Sequence, residues 1–408
     1  MQAAGTATDN DGEEPPGAGV PRRRVAIAFA VAGSAALGAA LLSLGVVLLL
    51  VRLSWPHVEP LGNPEFGINF SCAQAEYLLL EDPARGAAEY AGRNRPDRAS
   101  WCAATLGRIL DATGARLVRL SVEWSQVELA EGQYDFALID ALLGEVSRHG
   151  AHVLLGVGVK AQRHPEFYIP EWVSKQANLV AGEVISNDRI LHDRALEMIA
   201  AVVRHTAASK AVDAWSADNE PYVASPRSED WTLSREFVRE EVAAIRANDP
   251  ARRPVSINHA QHFVFDRRWR DALADSDILA ASVYPFRNYE ILGHQFVVPI
   301  LEIGPLAPNY ADQARQAHNA GKPFWITEMQ AEPWYDGDMR ALSPTNPSPN
   351  LTHHNFDRNI EYARRSGADR VYLWGAEWWL YEADRFGDTS WLEQARGAIH
   401  DSQFTIHH

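Results

Sequence analysis

Cysteine is scarce in this sequence. Only two of its 408 residues are cysteines, Cys72 and Cys102, and they form neither a CxxC motif nor a cluster with histidine. A structural zinc site is therefore not expected. The two cysteines would form a disulfide if the domain lies outside the cytoplasm, or they would remain buried thiols, and the sequence leaves both alternatives open.

Positive charge and phosphate-binding loops are also lacking. Lysine and arginine number 38 against 53 acidic residues, which gives a net charge of −15. This excess argues against a nucleic-acid partner, which would need a basic face. No GxGxxG motif follows the first predicted strand and no GxxxxGK[ST] motif occurs anywhere, so neither glycine-rich phosphate loop is predicted. The residues imply no cofactor and no metal site.

A long uncharged segment is present near the N-terminus. Residues 25–51 form a run of 27 positions without a charged side chain, and a membrane-spanning helix needs about 20. The run is too long for the apolar region of a signal peptide, so an uncleaved signal-anchor is predicted. The tail before it, residues 1–24, is expected to be disordered and cytoplasmic. A tether at 52–61 would join this single span of the cell membrane to an extracytoplasmic domain at 62–408.

Eight apolar runs alternate with amphipathic helical stretches from residue 66 onwards. Continuous apolar runs separated by helices are typical of a parallel sheet that is covered on both faces. Eight such units in about 350 residues predict a (β/α)₈ TIM barrel, and the missing dinucleotide motif disfavours a doubly wound open sheet. The apolar runs lie at 66–70, 117–122, 152–159, 212–217, 255–258, 278–284, 323–327 and 370–374.

Polar side chains follow the carboxyl ends of these predicted strands, where such a barrel builds its active site. Glu220 ends the fourth run in "DNEP", and Glu328 ends the seventh in "WITE". Because these strands stand roughly opposite each other across the barrel mouth, both carboxylates would reach one ligand. Two carboxylates in unlike environments suffice for glycoside hydrolysis, one as nucleophile and the other as acid and then base.

The strand ends "DNEP" and "ITE" resemble those of the clan A glycoside hydrolases, a superfamily of retaining enzymes that includes cellulases, β-mannanases, β-galactosidases and β-xylosidases. The stretch "VRLSVEWSQVELAEGQYDFALID" is similar to the second-strand region of the clan. The resemblance covers about residues 62–400. It implies that Glu328 is the nucleophile, that Glu220 is the acid/base, and that Asn219 contacts the sugar 2-hydroxyl.

The resemblance also implies supporting roles around this pair. Arg119 and Tyr284 would flank the nucleophile, and Trp374 would form the floor under the catalytic sugar. An arginine inside an apolar strand needs a buried partner, which independently favours a place for Arg119 in the site. Cellulase-like members often carry His-x-Tyr after the sixth strand, where this chain has "SVY". His259, after the fifth strand, is expected to fill some of that space.

The sequence therefore predicts a membrane-anchored retaining glycoside hydrolase that acts on a poly- or oligosaccharide at the cell surface. A transglycosylase would use the same residues, whereas a non-catalytic carbohydrate-binding barrel would not need both Glu220 and Glu328. Glu123 and Glu377 are further carboxylates, which are expected to form salt bridges. The segment 286–309 is expected to be a loop that shapes the cleft. The sugar, the linkage, endo or exo action and the oligomeric state stay open.

Overall fold

The computed structural model describes residues 22–53, 63–80, 96–163, 165–224, 228–261, 265–291, 294–302, 307–335 and 337–404. The chain divides into two compact units, Met1–Trp55 and Pro56–His408. In the first unit the structure describes one helix, and in the second it describes a barrel with its surrounding helices.

Helix α1 (Arg22–Leu53) is rich in alanine and leucine, which favour helix formation. The predicted membrane span at 25–51 falls within this helix, but the side chains of residues 22–32 and 50–53 lie outside the described part of the chain. Among the described residues, no helix has both the length and the apolar character needed to cross a bilayer. Most of the predicted tail and tether (1–21 and 54–61) lies outside the described residues, so the anchor, tail and tether stay predictions.

The second unit contains twelve described strands, numbered in chain order. They are β1 (Glu65–Asn69), β2 (Leu117–Ser121), β3 (Glu128–Ala130), β4 (Gln133–Tyr134), β5 (His152–Gly156), β6 (Val212–Ser216), β7 (Val255–Ala260), β8 (Ile278–Val283), β9 (Phe286–Ile291), β10 (His294–Pro299), β11 (Phe324–Gln330) and β12 (Arg370–Trp374). Eight of them are parallel and close into a barrel in the order β1-β12-β11-β8-β7-β6-β5-β2. These eight coincide with the eight predicted apolar runs, so the predicted (β/α)₈ barrel is confirmed.

Helices connect successive barrel strands. Several begin at capping side chains: Asp188, Ser234 and Thr352 accept hydrogen bonds from the first backbone N–H groups of their helices. The helices of this unit are α2 (Cys72–Leu79), α3 (Arg98–Thr113), α4 (Trp124–Val127), α5 (Ala137–Arg148), α6 (Glu171–Ser174), α7 (Arg189–Thr206), α8 (Arg235–Asn248), α9 (Trp269–Asp275), α10 (Tyr310–Asn319), α11 (His353–Arg365), α12 (Ala376–Phe386) and α13 (Ser390–Phe404).

The inside of the barrel is apolar at one end and polar at the other. Side chains alternate between the two faces of a strand, so every second residue points inward. Arg119 and Trp374 stand two positions further along their strands than Leu117 and Tyr372, towards the carboxyl ends of the strands. The apolar layer at the N-terminal end consists of Leu117, Leu154, Ala214, Ile278, Trp325 and Tyr372.

Cys72 and Cys102 form a disulfide that joins the start of α2 to α3. The structure thus selects one of the two alternatives that the sequence leaves open. Both cysteines are buried among the core residues.

Two antiparallel hairpins interrupt the alternation of strands and helices. The hairpin β9–β10 occupies much of the segment 286–309 that was expected to be a loop. Its base is attached to β11, because the Phe286 N–H donates to Gln330 Oε1 at 2.9 Å and Gln330 Nε2 donates to the Phe286 carbonyl at 3.0 Å. The hairpin therefore stands at the same rim of the barrel as the end of β11.

Candidate active site

Glu328 lies where the regular pairing of β11 is interrupted. The register of β11 shifts by one residue between Ile326 and Glu328 against β8, and between Ile326 and Met329 against β12. Such a bulge re-aims the side chains that follow it. The Thr327 carbonyl accepts a hydrogen bond from Asn69 Nδ2 at 2.9 Å across the barrel interior. Asn69 therefore holds the strand in place just before Glu328.

Two donors hold the Glu328 carboxylate, one on each oxygen. Arg119 Nη1 donates to Oε1 at 2.7 Å, and the Tyr284 hydroxyl donates to Oε2 at 2.7 Å. Arg119 and Glu328 are 1% and 3% exposed, so this ion pair is shielded from water. A buried carboxylate that accepts from a guanidinium and a phenol is fixed in orientation, which a nucleophile requires.

Opposing influences act on the protonation of Glu328. Burial raises the pKa of its carboxyl above the ordinary value and the nearby Glu220 raises it further, whereas Arg119 and the Tyr284 hydrogen bond lower it. Burial, together with the charges of Glu328 and Glu220, also raises the pKa of Tyr284 well above its ordinary value. Tyr284 therefore remains a protonated hydrogen-bond donor over the whole neutral range.

Asn219 is oriented by the same arginine. Its Oδ1 accepts hydrogen bonds from Arg119 Nη2 at 2.8 Å and from Asn258 Nδ2 at 3.0 Å. Because both bonds use the oxygen, the Nδ2 group of Asn219 is turned away from these donors. This leaves an amide N–H₂ group that can donate to a sugar hydroxyl.

Glu220 has an unusual backbone conformation just after β6. Its φ is +47°, in the left-handed region that residues other than glycine rarely adopt. Its N–H donates to Asn258 Oδ1 at 2.7 Å, and its carbonyl accepts from Lys160 Nζ at 3.1 Å. Its partly exposed carboxylate is near enough to Glu328 to raise the pKa of that group. The two predicted catalytic carboxylates therefore belong to one cluster.

Trp374 is covered by a side chain that the sequence did not single out. The Arg163 guanidinium lies 4.0 Å from the centre of the Trp374 ring. Arg163 also pairs with Glu332 and, at 3.0 Å, with Glu377. Glu377 accepts from the Ser71 N–H as well, so it forms the salt bridge that was expected of it. The position of Arg163 after the third barrel strand is the only sequence signal that could have indicated its role.

The structure does not place His259 with this cluster. Asn258 points inward to Asn219, so the next residue of β7 points to the opposite face. There the His259 ring lies 6.4 Å from the Tyr310 ring, against α10. Burial lowers the pKa of His259 to about 4, so it is a neutral side chain packed between the barrel and a helix.

One group of described residues has the compactness of a metal site, but its chemistry does not fit a metal. The side chains of Cys72, Glu76 and Cys102 lie close together. The two sulfurs are bonded to each other, and Glu76 accepts from Arg98 Nε at 2.9 Å. Metal ligation requires thiolates, so this group reads as a disulfide beside an ion pair.

Comparison with known proteins yields a family match within the barrel. A family described as "Beta-galactosidase" matches residues 103–232, a segment that runs from α3 to beyond the end of β6 and includes Arg119, Asn219 and Glu220. The resemblance to clan A glycoside hydrolases is confirmed. The same match supports the predicted enzyme class, a glycoside hydrolase. No curated protein sequence matches the chain significantly.

Solved structures of clan A glycoside hydrolases share the fold at low sequence identity. A cold-adapted β-galactosidase from Rahnella sp. R3 is 14% identical with a TM-score of 0.53, and the match covers 86% of this chain and 58% of that one. GH5_18 from Streptomyces cattleya, solved with GlcNAc, is 13% identical with a TM-score of 0.53, covering 84% and 80%. The exo-β-1,4-mannosidase Op5Man5 from Opitutaceae bacterium strain TAV5 is 17% identical with a TM-score of 0.51, covering 83% and 60%. The chain thus spans under two thirds of the Rahnella enzyme.

Proposed function

We propose that this chain hydrolyses β-glycosidic bonds in a poly- or oligosaccharide with retention of configuration at the anomeric carbon. The observation that carries the proposal is the environment of Glu328. A buried carboxylate, held on one oxygen by Arg119 and on the other by Tyr284, has a second, more exposed carboxylate, Glu220, in its neighbourhood. This difference in environment supports a division into an ionised nucleophile and a proton donor.

The first step forms a covalent intermediate. A Glu328 oxygen attacks the anomeric carbon, and the bond from that carbon to the leaving oxygen breaks. Glu220 transfers its proton to the departing oxygen, so the leaving group departs as an alcohol. The sugar is then held as an ester of Glu328. The Asn219 amide can donate to the 2-hydroxyl, a contact that strengthens as positive charge develops on the sugar ring.

The second step releases the sugar. Glu220, now ionised, accepts a proton from water while the water oxygen attacks the anomeric carbon. The ester bond to Glu328 breaks, and both carboxyl groups return to their starting states. Two inversions at one carbon give net retention. Apart from this water, no group from outside the chain and its substrate is needed to balance either step.

The test distinguishes the roles of the two carboxylates by how each substitution affects substrates with different leaving groups. The purified protein would be assayed on aryl β-galactosides, β-mannosides, β-glucosides and β-xylosides, and on polysaccharides. E328Q should lose turnover on every substrate, by about 10⁴-fold or more. E220Q should retain rapid first-step chemistry on dinitrophenyl glycosides, whose leaving group needs no proton, and should lose it on alkyl glycosides.

A matched control uses a distant exposed glutamate. Glu197 on α7 is 61% exposed and pairs with Arg194 on the surface, so E197Q should keep wild-type activity. Proton NMR of the first-formed product should show the β-anomer. An α-anomer as first product, or equal loss of both substrate types in E220Q, would contradict the assignment.

We also propose that the apolar helix anchors the enzyme in the cell membrane with the barrel outside the cytoplasm. Support comes from the uncharged run at 25–51 and its preceding arginines, together with the disulfide, which persists in oxidising compartments. In intact cells, external protease should digest the barrel domain, and deletion of residues 1–61 should release it from the membrane fraction. Protection of the domain until the cells are lysed would refute this topology.

A further inference from the structure

A second pair of carboxyl groups lies behind the proposed proton donor. Asp218 directly precedes Asn219 and Glu220, and Glu241 belongs to α8, which packs against β7. On α8 the inward positions are otherwise apolar, among them Phe237, Val238, Val242 and Ile245. A glutamate on such a face has to be accommodated by a specific partner.

Asp218 and Glu241 are each other's partners. They are 1% and 0% exposed, and their carboxyl groups are within hydrogen-bonding contact of one another. Asp218 Oδ1 accepts from the Lys160 N–H at 2.7 Å. No other group makes a well-aligned hydrogen bond with Asp218 Oδ2 or with either oxygen of Glu241, although the Val159 N–H faces both carboxyl groups.

Two ionised carboxylates cannot remain in contact in a site without water. A proton between them turns the contact into a hydrogen bond and removes one of the two buried charges. We propose that Asp218 and Glu241 share one proton at neutral pH and that this pair is a positioning device for Glu220. The positioning role rests on the proposed function, whereas the shared proton does not.

The path from the pair to Glu220 runs through Lys160. The backbone of Lys160 is fixed at both ends, since its N–H donates to Asp218 and its carbonyl accepts from the Asn219 N–H at 2.8 Å. Its ammonium then donates to the carbonyls of Glu220 and Val223 at 3.1 and 3.0 Å. A glutamate with a left-handed backbone conformation, such as Glu220, persists only where surrounding contacts hold it. The hydrogen bonds of Lys160 are such contacts.

The chain after β5 passes very close to the chain after β6 at Gly158. A Cβ atom on Gly158 would lie 2.0 Å from the Ala217 carbonyl oxygen and 2.2 Å from Asp218 Oδ1. Only glycine therefore allows the chain after β5 to reach Asp218. The contact between Lys160 and Asp218 depends on this glycine.

Lys160 and Tyr222 are charged or titratable neighbours of the pair. Lys160 is the neighbouring cation, and its ammonium is shared with Glu166 at 3.1 Å. Tyr222 lies near Asp218, and burial raises the pKa of this phenol above its ordinary value, so it stays neutral. Burial and the charge of Asp218 raise the pKa of Glu241 well above its ordinary 4.5. Both effects favour the form in which the pair holds a proton.

The shared proton makes the stability of the fold depend on pH in a defined direction. The folded chain holds a proton on Glu241 that the unfolded chain releases near pH 4.5. The stabilising effect of this proton is complete below that pH and is lost as the pH rises towards the raised pKa of the folded state. A variant in which residue 241 does not titrate should not lose this part of its stability as the pH rises.

The experiment compares the melting temperature of the full-length protein with that of E241Q between pH 4.5 and pH 9. Glutamine keeps a hydrogen-bond donor next to Asp218 but does not titrate. The melting temperature of E241Q should rise relative to wild type by roughly 2 °C or more per pH unit, up to the folded pKa. D218N keeps the acceptor for Lys160 and offers an N–H to Glu241, so it should show the same trend. E236Q, which changes an exposed glutamate in the first turn of α8, should follow the wild-type curve.

A second measurement addresses positioning. E241L removes the partner of Asp218 at similar volume, and we expect its kcat to fall about 10- to 100-fold. The loss should be larger for alkyl glycosides than for dinitrophenyl glycosides, because only the former need proton transfer from Glu220, and E241Q should restore most of the activity. An equal loss on both substrate types would overturn the positioning role. Parallel melting curves for wild type and E241Q would overturn the shared proton, whether or not the protein proves to be a glycosidase.

Discussion

The two ends of the barrel interior use opposite kinds of side chain. At the N-terminal end, Leu154, Trp325 and their neighbours form a compact apolar layer. At the C-terminal end, the space holds the buried Arg119 and Glu328 with their amide neighbours. Apolar burial stabilises a fold by about 25 cal/mol for each Å², whereas a buried ion pair often contributes little net stability because both charges lose their water. One end therefore stabilises the barrel, and the other supports its chemistry at some cost in stability.

The largest effect should come from removing the cation at the polar end. Arg119→Leu leaves Glu328 buried without its cation and releases Asn219, so we expect a loss of about 3–5 kcal/mol in the free energy of unfolding. Glycosidase activity should also fall below detection. Urea denaturation and assays at a temperature where the variant is folded would measure the two effects. A loss of activity with unchanged stability would mean that Glu328 is not dependent on Arg119 for its burial.

Shortening a side chain in the apolar layer should lower the stability of the fold without lowering its activity. Leu154 is 1% exposed within the apolar layer, so Leu154→Ala should cost about 2–5 kcal/mol of unfolding free energy. Its kcat per folded molecule should remain close to that of wild type, because the cavity forms away from the carboxylates. A fall in kcat as large as that of Arg119→Leu would contradict the division between the two ends.

A smaller change at the polar end should shift the pH dependence alone. Tyr284→Phe removes one of the two donors to Glu328, so the pKa of this carboxyl should rise further. The nucleophile must be ionised, and activity is lost as the pH falls through its pKa. The acidic limb of kcat/KM should therefore move to higher pH by about one unit or more. Tyr310→Phe, which removes a hydrogen bond to the Ser282 carbonyl instead, should leave the limb in place.

The smallest effect is expected for an arginine at the N-terminal end. Arg370 pairs with Asp213 and Glu65, whose side chains are 39% and 44% exposed. Solvent screens such pairs, so Arg370→Leu should cost about 1 kcal/mol or less. Urea denaturation would measure it beside Arg119→Leu. Equal losses in these two variants would show that burial of the partner is not what distinguishes the two ends.

The sequence predicted structure best from regular apolar patterns and from polar residues that interrupt them. Eight apolar runs predicted eight barrel strands, and all eight are present. Arg119 stands out in an apolar strand, and its predicted need for a buried partner is met by Glu328. Glu241 is likewise a charged residue among apolar ones on its helix. Which face of that helix is buried becomes clear only when its packing against the barrel is known.

Residues that act through geometry alone could not be predicted. Nothing in the sequence around Arg163 indicates that its guanidinium covers Trp374. His259 was expected near the site, but the alternation along β7 brings Asn258 inward in its place. Which of these two neighbouring residues points into the barrel depends on the register of the strand. The apolar pattern does not determine that register when both faces of a strand are buried.

The irregular pairing of β11 has a consequence for the evolution of the barrel. Because one residue more is present in β11 than its neighbours require between Ile326 and Met329, deletion of Thr327 would restore regular pairing while leaving Glu328 in the sequence. The carboxylate would then be displaced from Arg119 and Tyr284, although no side chain of the site had been substituted. Activity in such a barrel can thus be gained or lost through an insertion or deletion of a single codon. A descendant that differs in this way would keep every catalytic side chain of an active enzyme and lack its reaction.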